Sequence, residues 1–447
     1  MTEKWDGRAL FRLLWPIIIE QILAVTMGAA DTMMVSSVGE FAVSGVNIID
    51  NINNLFIIAS TALCTGGAVV VSQYIGRRDS KSAGTASKQL IYIVTLVSLF
   101  FLFIAVFLRH GIIRMIYGQI ETRVMNAAAV YFFITALSYP FLAIYNADAA
   151  LFRAAGNSRL PMLIALLVNV VNIGGNAFFI FVLRIGVAGA ALSTLLSRVA
   201  ASFILTFFLV ANKRGPLIVS GLHRIRFNRP MIRSILNVGI PSGLESSMFQ
   251  IGRLLTQRIF SVFGTTAIAA NAIASVVNSF SFMPGMAYGM ALITIVGQCV
   301  GAGDYAAAKK QTARIMKISY LTLVIISVLI YVFMESLISL FNLSPEAHGM
   351  AVSFLRIHCI SMAIAWPLSF ALPNALRAAG DARYVMIVAT ASMWIVRVSA
   401  AYLLTFFFNI GPLGVWLAMG GDFICRGTFY TLRWIGGKWQ EKRILEN

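Results

Sequence analysis

Apolar runs of about twenty residues recur from one end of this 447-residue chain to the other. Crossing a bilayer takes ~20 helical residues. Inside the hydrocarbon no water satisfies backbone polar groups, so a spanning segment must be a helix or part of a closed barrel. Membrane barrels alternate polar and apolar residues in segments of about ten, and no such alternation is present. The chain therefore reads as an all-α polytopic membrane protein. Twelve transmembrane helices are expected, near 12–37, 45–75, 89–108, 126–150, 161–183, 187–211, 234–262, 267–299, 317–341, 350–376, 384–408 and 412–434. A soluble chain with 59% hydrophobic and 12% charged residues would lack the polar surface it needs. The first run is longer than the apolar core of a signal peptide and precedes no small-residue cleavage site, so it is expected to be retained.

The net charge of +18 is explained by topology. With the N-terminus inside, Arg77, Arg78, Lys81, Lys88, Arg224, Arg226, Arg229, Arg233, Lys309, Lys310 and Arg314 fall on the inner side. Arg109, Arg114, Arg123 and Arg184 fall outside. The positive-inside rule then places both termini and the basic connections in the cytoplasm, and no nucleic-acid partner is expected. Cys64, Cys299, Cys359 and Cys425 are scattered through apolar runs without a C-x-x-C pair, so neither a disulfide framework nor a metal site is expected. No paired-aspartate metal motif, His-Glu-x-x-His or Gly-x-x-x-x-Gly-Lys loop occurs, and the chain is not expected to be an enzyme.

The chain also matches itself. A shift of 225 residues brings Pro16 onto Pro241, Glu20 onto Glu245, Gly39 onto Gly264 and Asn53 onto Asn278. It also brings Gln73, Gly76 and Asp79 onto Gln298, Gly301 and Asp304, so that "VSQYIGRRD" answers "VGQCVGAGD". Further on, "LFRAAGNSR" answers "ALRAAGDAR", pairing Arg153 with Arg377, and "GVAGA" answers "GPLGV". Matches in one order indicate two homologous, pseudo-symmetric six-helix halves running in the same direction through the membrane. The expected division is an N-lobe at 1–212, a cytoplasmic linker at 213–233, "KRGPLIVSGLHRIRFNRPMIR", and a C-lobe at 234–447. In the repeated loop motif, Gly76 and Gly301 can end a helix in the left-handed conformation. Asp79 and Asp304 can cap the next helix.

Charges inside apolar runs are the first functional candidates, because a charged side chain at mid-membrane costs about 2.5–3.5 kcal/mol on insertion scales. Glu20 and Asp31 share a face of the first helix, separated by ~16 Å along its axis. Asn169, Asn172 and Asn176 line one face of the fifth span. Glu20 and Glu245 either bond backbone groups freed by Pro16 and Pro241 or form a cation-attracting pair at the inner vestibule. Arg198, Arg253, Arg397 and Arg426 also lie deep, and Asp422 and Arg426 are spaced to pair. By this count the N-lobe is acidic and the C-lobe basic. An anionic or amphipathic group could sit against Arg253 or Arg397, unless these arginines pair or snorkel. Met283 supplies an adaptable thioether. Tyr139 with Pro140 marks the fourth span, "MPGMAYG" marks a kink in the eighth, and His358 is a packed residue of the tenth.

In these motifs the sequence resembles the multidrug and toxic compound extrusion (MATE) family. The resemblance rests on the early proline, "DTMMVSSVG", "VSQYIGRRD", "LFRAAGNSRLP", "GVAGAALST" and their second-half counterparts. It implies a V-shaped pair of six-helix lobes and export driven by a proton or sodium gradient. It further implies an N-lobe coupling site at Asp31, Asn172, Asn176 and Thr194. Position 176 departs from relatives with aspartate there, which leaves one formal charge and favours protons over sodium. The expected function is efflux of amphipathic or cationic small molecules by antiport, without a cofactor beyond H+ or Na+. A monomer in a prokaryotic inner membrane is expected. The alternative is a flippase for a lipid-linked precursor built on the same superfamily plan.

Overall fold

A computed structural model describes residues 5–118, 120–213, 215–442 and 444–445. Among them no strand occurs. The helices are α1 Gly7–Ser36, α2 Glu40–Gly76, α3 Ser80–Tyr117, α4 Thr122–Leu137, α5 Tyr139–Ala154, α6 Arg159–Asn176, α7 Val187–Ala211 and α8 Arg229–Val262. They continue as α9 Gly264–Ser281, α10 Met283–Gly301, α11 Tyr305–Ser339, α12 Pro345–Ile364, α13 Leu372–Ala378, α14 Ala382–Ala391, α15 Ser399–Tyr402 and α16 Leu413–Ile435. π-Helical turns extend α6 over Ala177–Val182, lead into α13 over Pro367–Ala371, link α14 to α15 over Ser392–Val398 and follow α15 over Leu403–Phe407.

Among the described residues, nine helices are long and apolar enough to cross a membrane, and the bent pair α4–α5 makes a tenth candidate. The expected twelve differ from these for physical reasons. The span at 126–150 breaks at Ser138, where α4 and α5 meet at 47°. The span at 267–299 breaks at Phe282, so Pro284 sits in the first turn of α10 rather than kinking a continuous helix. The remaining two expected spans are α8 and α16. Both are long helices, but α8 carries Arg229, Arg233, Glu245, Arg253 and Arg258, and α16 carries Asp422, Arg426 and Arg433. Those charges keep them below the apolarity of a lipid-facing span.

The chain divides into two compact units, Gly7–Gly243 and Leu244–Asn447 with Met1–Asp6, here the N-unit and C-unit. The division falls inside α8, beyond the linker expected at 213–233, because the linker and the start of α8 pack on α2 and α3. A Cβ on Gly84 would lie 2.1 Å from the Ile218 carbonyl oxygen, and one on Gly66 2.3 Å from that of Ile235. Only glycine permits such backbone approach. At the other end, the Trp5 carbonyl accepts from Gln311 Nε2 at 3.1 Å and Arg314 Nη1 at 3.3 Å, which ties residue 5 to the C-unit.

The repeated loop motif corrects one expectation. Gly76 and Gly301 are the last residues of α2 and α10, and neither is left-handed. The positive φ falls two residues later, at Arg78 (62°) and Gly303 (74°), because the helix needs that much chain before it can reverse into the next cap. Asp79 and Asp304 do cap: their Oδ1 atoms accept from Ser82 N and Ala307 N, each at 2.9 Å. Hydrogen bonds from the Ser82 side chain and amide hold the Asp79 carboxyl below its ordinary range. Gln73 and Gln298 are buried beneath the turn.

Candidate functional site

Asp31 projects from α1 toward the end of α6. Asn176 Nδ2 donates to Asp31 Oδ1 at 2.5 Å and lies 3.5 Å from Asn172 Oδ1 one turn earlier. Asn172 Nδ2 in turn donates to Thr194 Oγ1 of α7 at 3.3 Å. Four side chains from three helices thus form one connected chain. Both amides are fully buried, Thr194 is buried, and Asp31 is half-buried. Local structure explains the geometry. The i, i+4 spacing puts the two amides on one face of α6. Ser193 Oγ donates to the Asn172 carbonyl at 2.7 Å, and Gly175 leaves the space that α7 needs to approach. The π-helical turn begins just after Asn176, a feature that recurs at functional sites. Asn176 Oδ1 is buried without a hydrogen-bond partner. The cluster therefore has an acceptor to spare beside its single carboxylate, the arrangement a small cation or an added proton can satisfy. Asn169 is not part of it, since its amide donates to the Ala165 carbonyl of its own helix at 2.9 Å.

A second polar layer adjoins this cluster. Arg198 of α7 donates to Ser138 Oγ at 2.7 Å, and its charge acts on both Asp31 and Asp50. Tyr131 reaches Asp50 Oδ1 at 3.5 Å, and Tyr139 donates to Asn53 Oδ1 at 2.7 Å while stacking on Phe56 at 4.1 Å. Asp50 was not among the sequence candidates, nor was Asp148 on α5. Asp148 is fully buried, accepts from Thr206 Oγ1 at 2.5 Å, and has no partner at Oδ1. Both acids lie inside apolar runs of their own, Asp50 in α2 and Asp148 in α5, as Glu20 and Asp31 do in α1. The same rule, applied to every run, would have found them.

Glu20 and Glu245 each have an arginine partner. Arg153 Nη1 bonds both Glu20 oxygens at 2.8 and 3.0 Å, and Arg377 Nη2 bonds both Glu245 oxygens at 2.7 and 2.6 Å. These are the two halves of one repeated ion pair, within the N-unit and the C-unit respectively. Neither expectation for the acids describes this arrangement. The carbonyls near Pro16 are satisfied instead by Ser158 Oγ, which reaches Leu13 O at 2.7 Å and Arg12 O at 3.3 Å. The carboxylates are not isolated attractors for a cation, because each carries its own counter-charge.

In the C-unit, Asp422 binds Arg426 Nη2 at 2.7 Å and Ser392 Oγ at 2.6 Å, with Arg397 Nη1 at 3.7 Å. Arg397 is buried, its Nε and Nη1 lack hydrogen-bond partners, and its guanidinium lies 5.3 Å from the Phe249 ring centre. Arg426 lies 4.7 Å from Phe370. One acid thus faces two arginines against aromatic rings. Arg253 is exposed and forms no ion pair among the described residues, and Met283 is buried at the start of α10. His358 is packed in the core, bonded to Ser281 Oγ at 2.8 Å and edge-on to Trp416.

The MatE family profile matches residues 16–178 and 241–403, two stretches that begin at Pro16 and Pro241. The transporter YisQ of Bacillus subtilis is 29% identical over 441 residues, covering 97% of this chain and 95% of the relative. A protein named "Probable multidrug resistance protein NorM" from Thermotoga maritima is 26% identical over 452 residues, covering 98% and 94%. Among solved structures, a MOP superfamily transporter from Pyrococcus furiosus, described as having a binding pocket of reverse polarity, superposes with a TM-score of 0.90 at 19% identity, covering 97% and 96%. A MATE crystal structure in the bent conformation superposes at 0.89 with 20% identity, covering 99% and 96%. The chain belongs to the MatE family. It is a multi-pass membrane transporter and not an enzyme.

Proposed function

We propose that this MatE-family chain is a cation-coupled antiporter that exports amphipathic small molecules, with Asp31 as the coupling carboxyl. The supporting observation is the hydrogen-bonded chain Asp31–Asn176–Asn172–Thr194, joined through side chains across α1, α6 and α7. A carboxylate held this way changes its bonding when it gains a proton or cation. Asn176 then releases or reorients its amide, and α1 is freed from α6. Release of the ion restores the bond. That coupling of occupancy to helix position is what an antiporter needs to change its accessible side.

Twelve spans follow if α8 and α16 cross alongside the ten apolar candidates, with Glu245, Asp422, Arg426 and Arg433 ion-paired within protein and Arg253 turned away from lipid. The ion is a proton in this reading. The cluster's oxygen donors are one carboxylate, two amide oxygens and one hydroxyl, with a single formal charge, and Arg198 already supplies a fixed cation nearby. A second positive ion gains little there, whereas a proton on Asp31 removes the charge. Substrates are amphipathic: the N-unit presents acids and aromatics, including Tyr139, and the C-unit presents Arg397 and Arg426 against Phe249 and Phe370. The name of the Thermotoga relative supports multidrug export as the class. Efflux from vesicles under imposed pH or sodium gradients tests the reading. Dye movement that follows the pH gradient and stops in Asp31→Asn supports it, and movement that ignores both gradients refutes it.

A further inference from the structure

The N-unit carries a basic cleft unrelated to the coupling cluster, built where the linker folds onto the first turns of α3. The linker is strapped in place. The Gln89 amide donates to Arg226 O at 2.8 Å and accepts from Asn228 N at 3.0 Å. Tyr92 donates to Leu222 O at 2.9 Å, and Leu217 and Val219 are buried. The strap leaves a cleft of about 560 Å³ walled by Lys88, Tyr92, Arg224, Arg226, Phe227 and Arg229. No carboxylate lines it, and none of its four cations is ion-paired among the described residues. Four unneutralised cations around one cleft repel each other, so an anion with several oxygens is the ligand that relieves them. The size suits a headgroup.

We propose that this cleft binds the phosphodiester of an anionic lipid from the leaflet on the linker side. Free phosphate offers the same chemistry, but the segment's own residues favour a lipid. Ile225 and Phe227, interleaved with the arginines, are 66% and 61% exposed. An apolar pair beside a basic cleft suits the boundary between headgroups and acyl chains. The basic linker lies on the side that the positive-inside rule assigns to the cytoplasm, where anionic lipids attract juxtamembrane arginines. Lipid bound there would clamp the linker to α3.

Full-length protein, delipidated in detergent, is titrated with phosphatidylglycerol and with phosphatidylcholine, and bound lipid is read by native mass spectrometry. Phosphatidylglycerol should bind and phosphatidylcholine should not. Arg224→Gln with Arg226→Gln should weaken binding about tenfold or more, and Arg224→Lys with Arg226→Lys should keep most of it. Lys309→Gln with Lys310→Gln removes equal charge from the C-unit and should leave binding unchanged. Equal loss in both glutamine variants, or no loss in the first, overturns the proposal. So does displacement of phosphatidylglycerol by millimolar inorganic phosphate, which would make this a soluble-anion site.

Discussion

Asp31 and Asn176 meet through one hydrogen bond, and its loss should be felt in both folding and transport. Hydrogen bonds to charged groups contribute about 1.5–3 kcal/mol. Asn176→Ala should weaken gradient-driven efflux severalfold without abolishing it, because Asp31 remains, and vesicle efflux checks this. Asn176→Asp adds a second carboxylate to the cluster and should make efflux respond to a sodium gradient; an unchanged ion profile would count against the charge argument. At Glu20 the outcome differs. Glu20→Gln removes the carboxylate that Arg153 bonds, and breaking a buried pair costs about 3–5 kcal/mol, somewhat less here because both side chains keep 11–15% exposure. The exchange Glu20→Arg with Arg153→Glu should recover most of that loss in thermal unfolding.

Residue by residue, a charge inside an apolar run and amides spaced along one helical face singled out Asp31 and the asparagines of the fifth span, whereas the grouping of Asn172, Asn176 and Thr194 with Asp31 came from the family resemblance. The sequence left the ion pairs hidden although all four members were visible. Glu20 and Glu245 matched in the repeat, as did Arg153 and Arg377, yet nothing in linear order says that a duplicated acid meets a duplicated base 133 residues on in one half and 132 in the other. Asp148 stayed hidden for a related reason, since Thr206 is its partner only after α5 and α7 pack.

For the helices, the limits of periodicity are physical. An apolar run looks continuous whether or not the backbone bends within it, so the breaks at Ser138 and Phe282 left no compositional mark beyond the neighbouring prolines. The strap over α3 was equally invisible, since close backbone contact at Gly84 depends on what crosses it. Gly84→Val should displace the linker, and limited proteolysis within 213–228 should quicken. The caps were legible, because an aspartate three residues before an unbonded amide is a local signal. Asp79→Ala should cost about 1 kcal/mol. Because the Asp79 carboxyl is held below its ordinary range, its contribution is present above about pH 4 and is lost as pH falls through the lower folded value. Unfolding of the wild type should therefore show no loss of this cap between pH 7 and 5.

Across the whole molecule, duplication and charge act together. The two units keep the ion pair of each half, the capped loop and the order of motifs, but they diverge in the deep charges. The N-unit holds Asp31 and Asp50 near Arg198, with Asp148 bonded to Thr206, whereas the C-unit holds Asp422 between two arginines. On the proposed reading, ion coupling belongs to the N-unit and the arginines of the C-unit meet substrate. The measurement that bears on this most directly is dye efflux from vesicles of matched protein content under an imposed pH gradient, comparing wild type, Asp31→Asn and Asp422→Asn. The account predicts that Asp31→Asn inserts normally and loses gradient-driven efflux, while Asp422→Asn keeps its dependence on the gradient. Gradient-driven efflux by Asp31→Asn at the wild-type rate would contradict it.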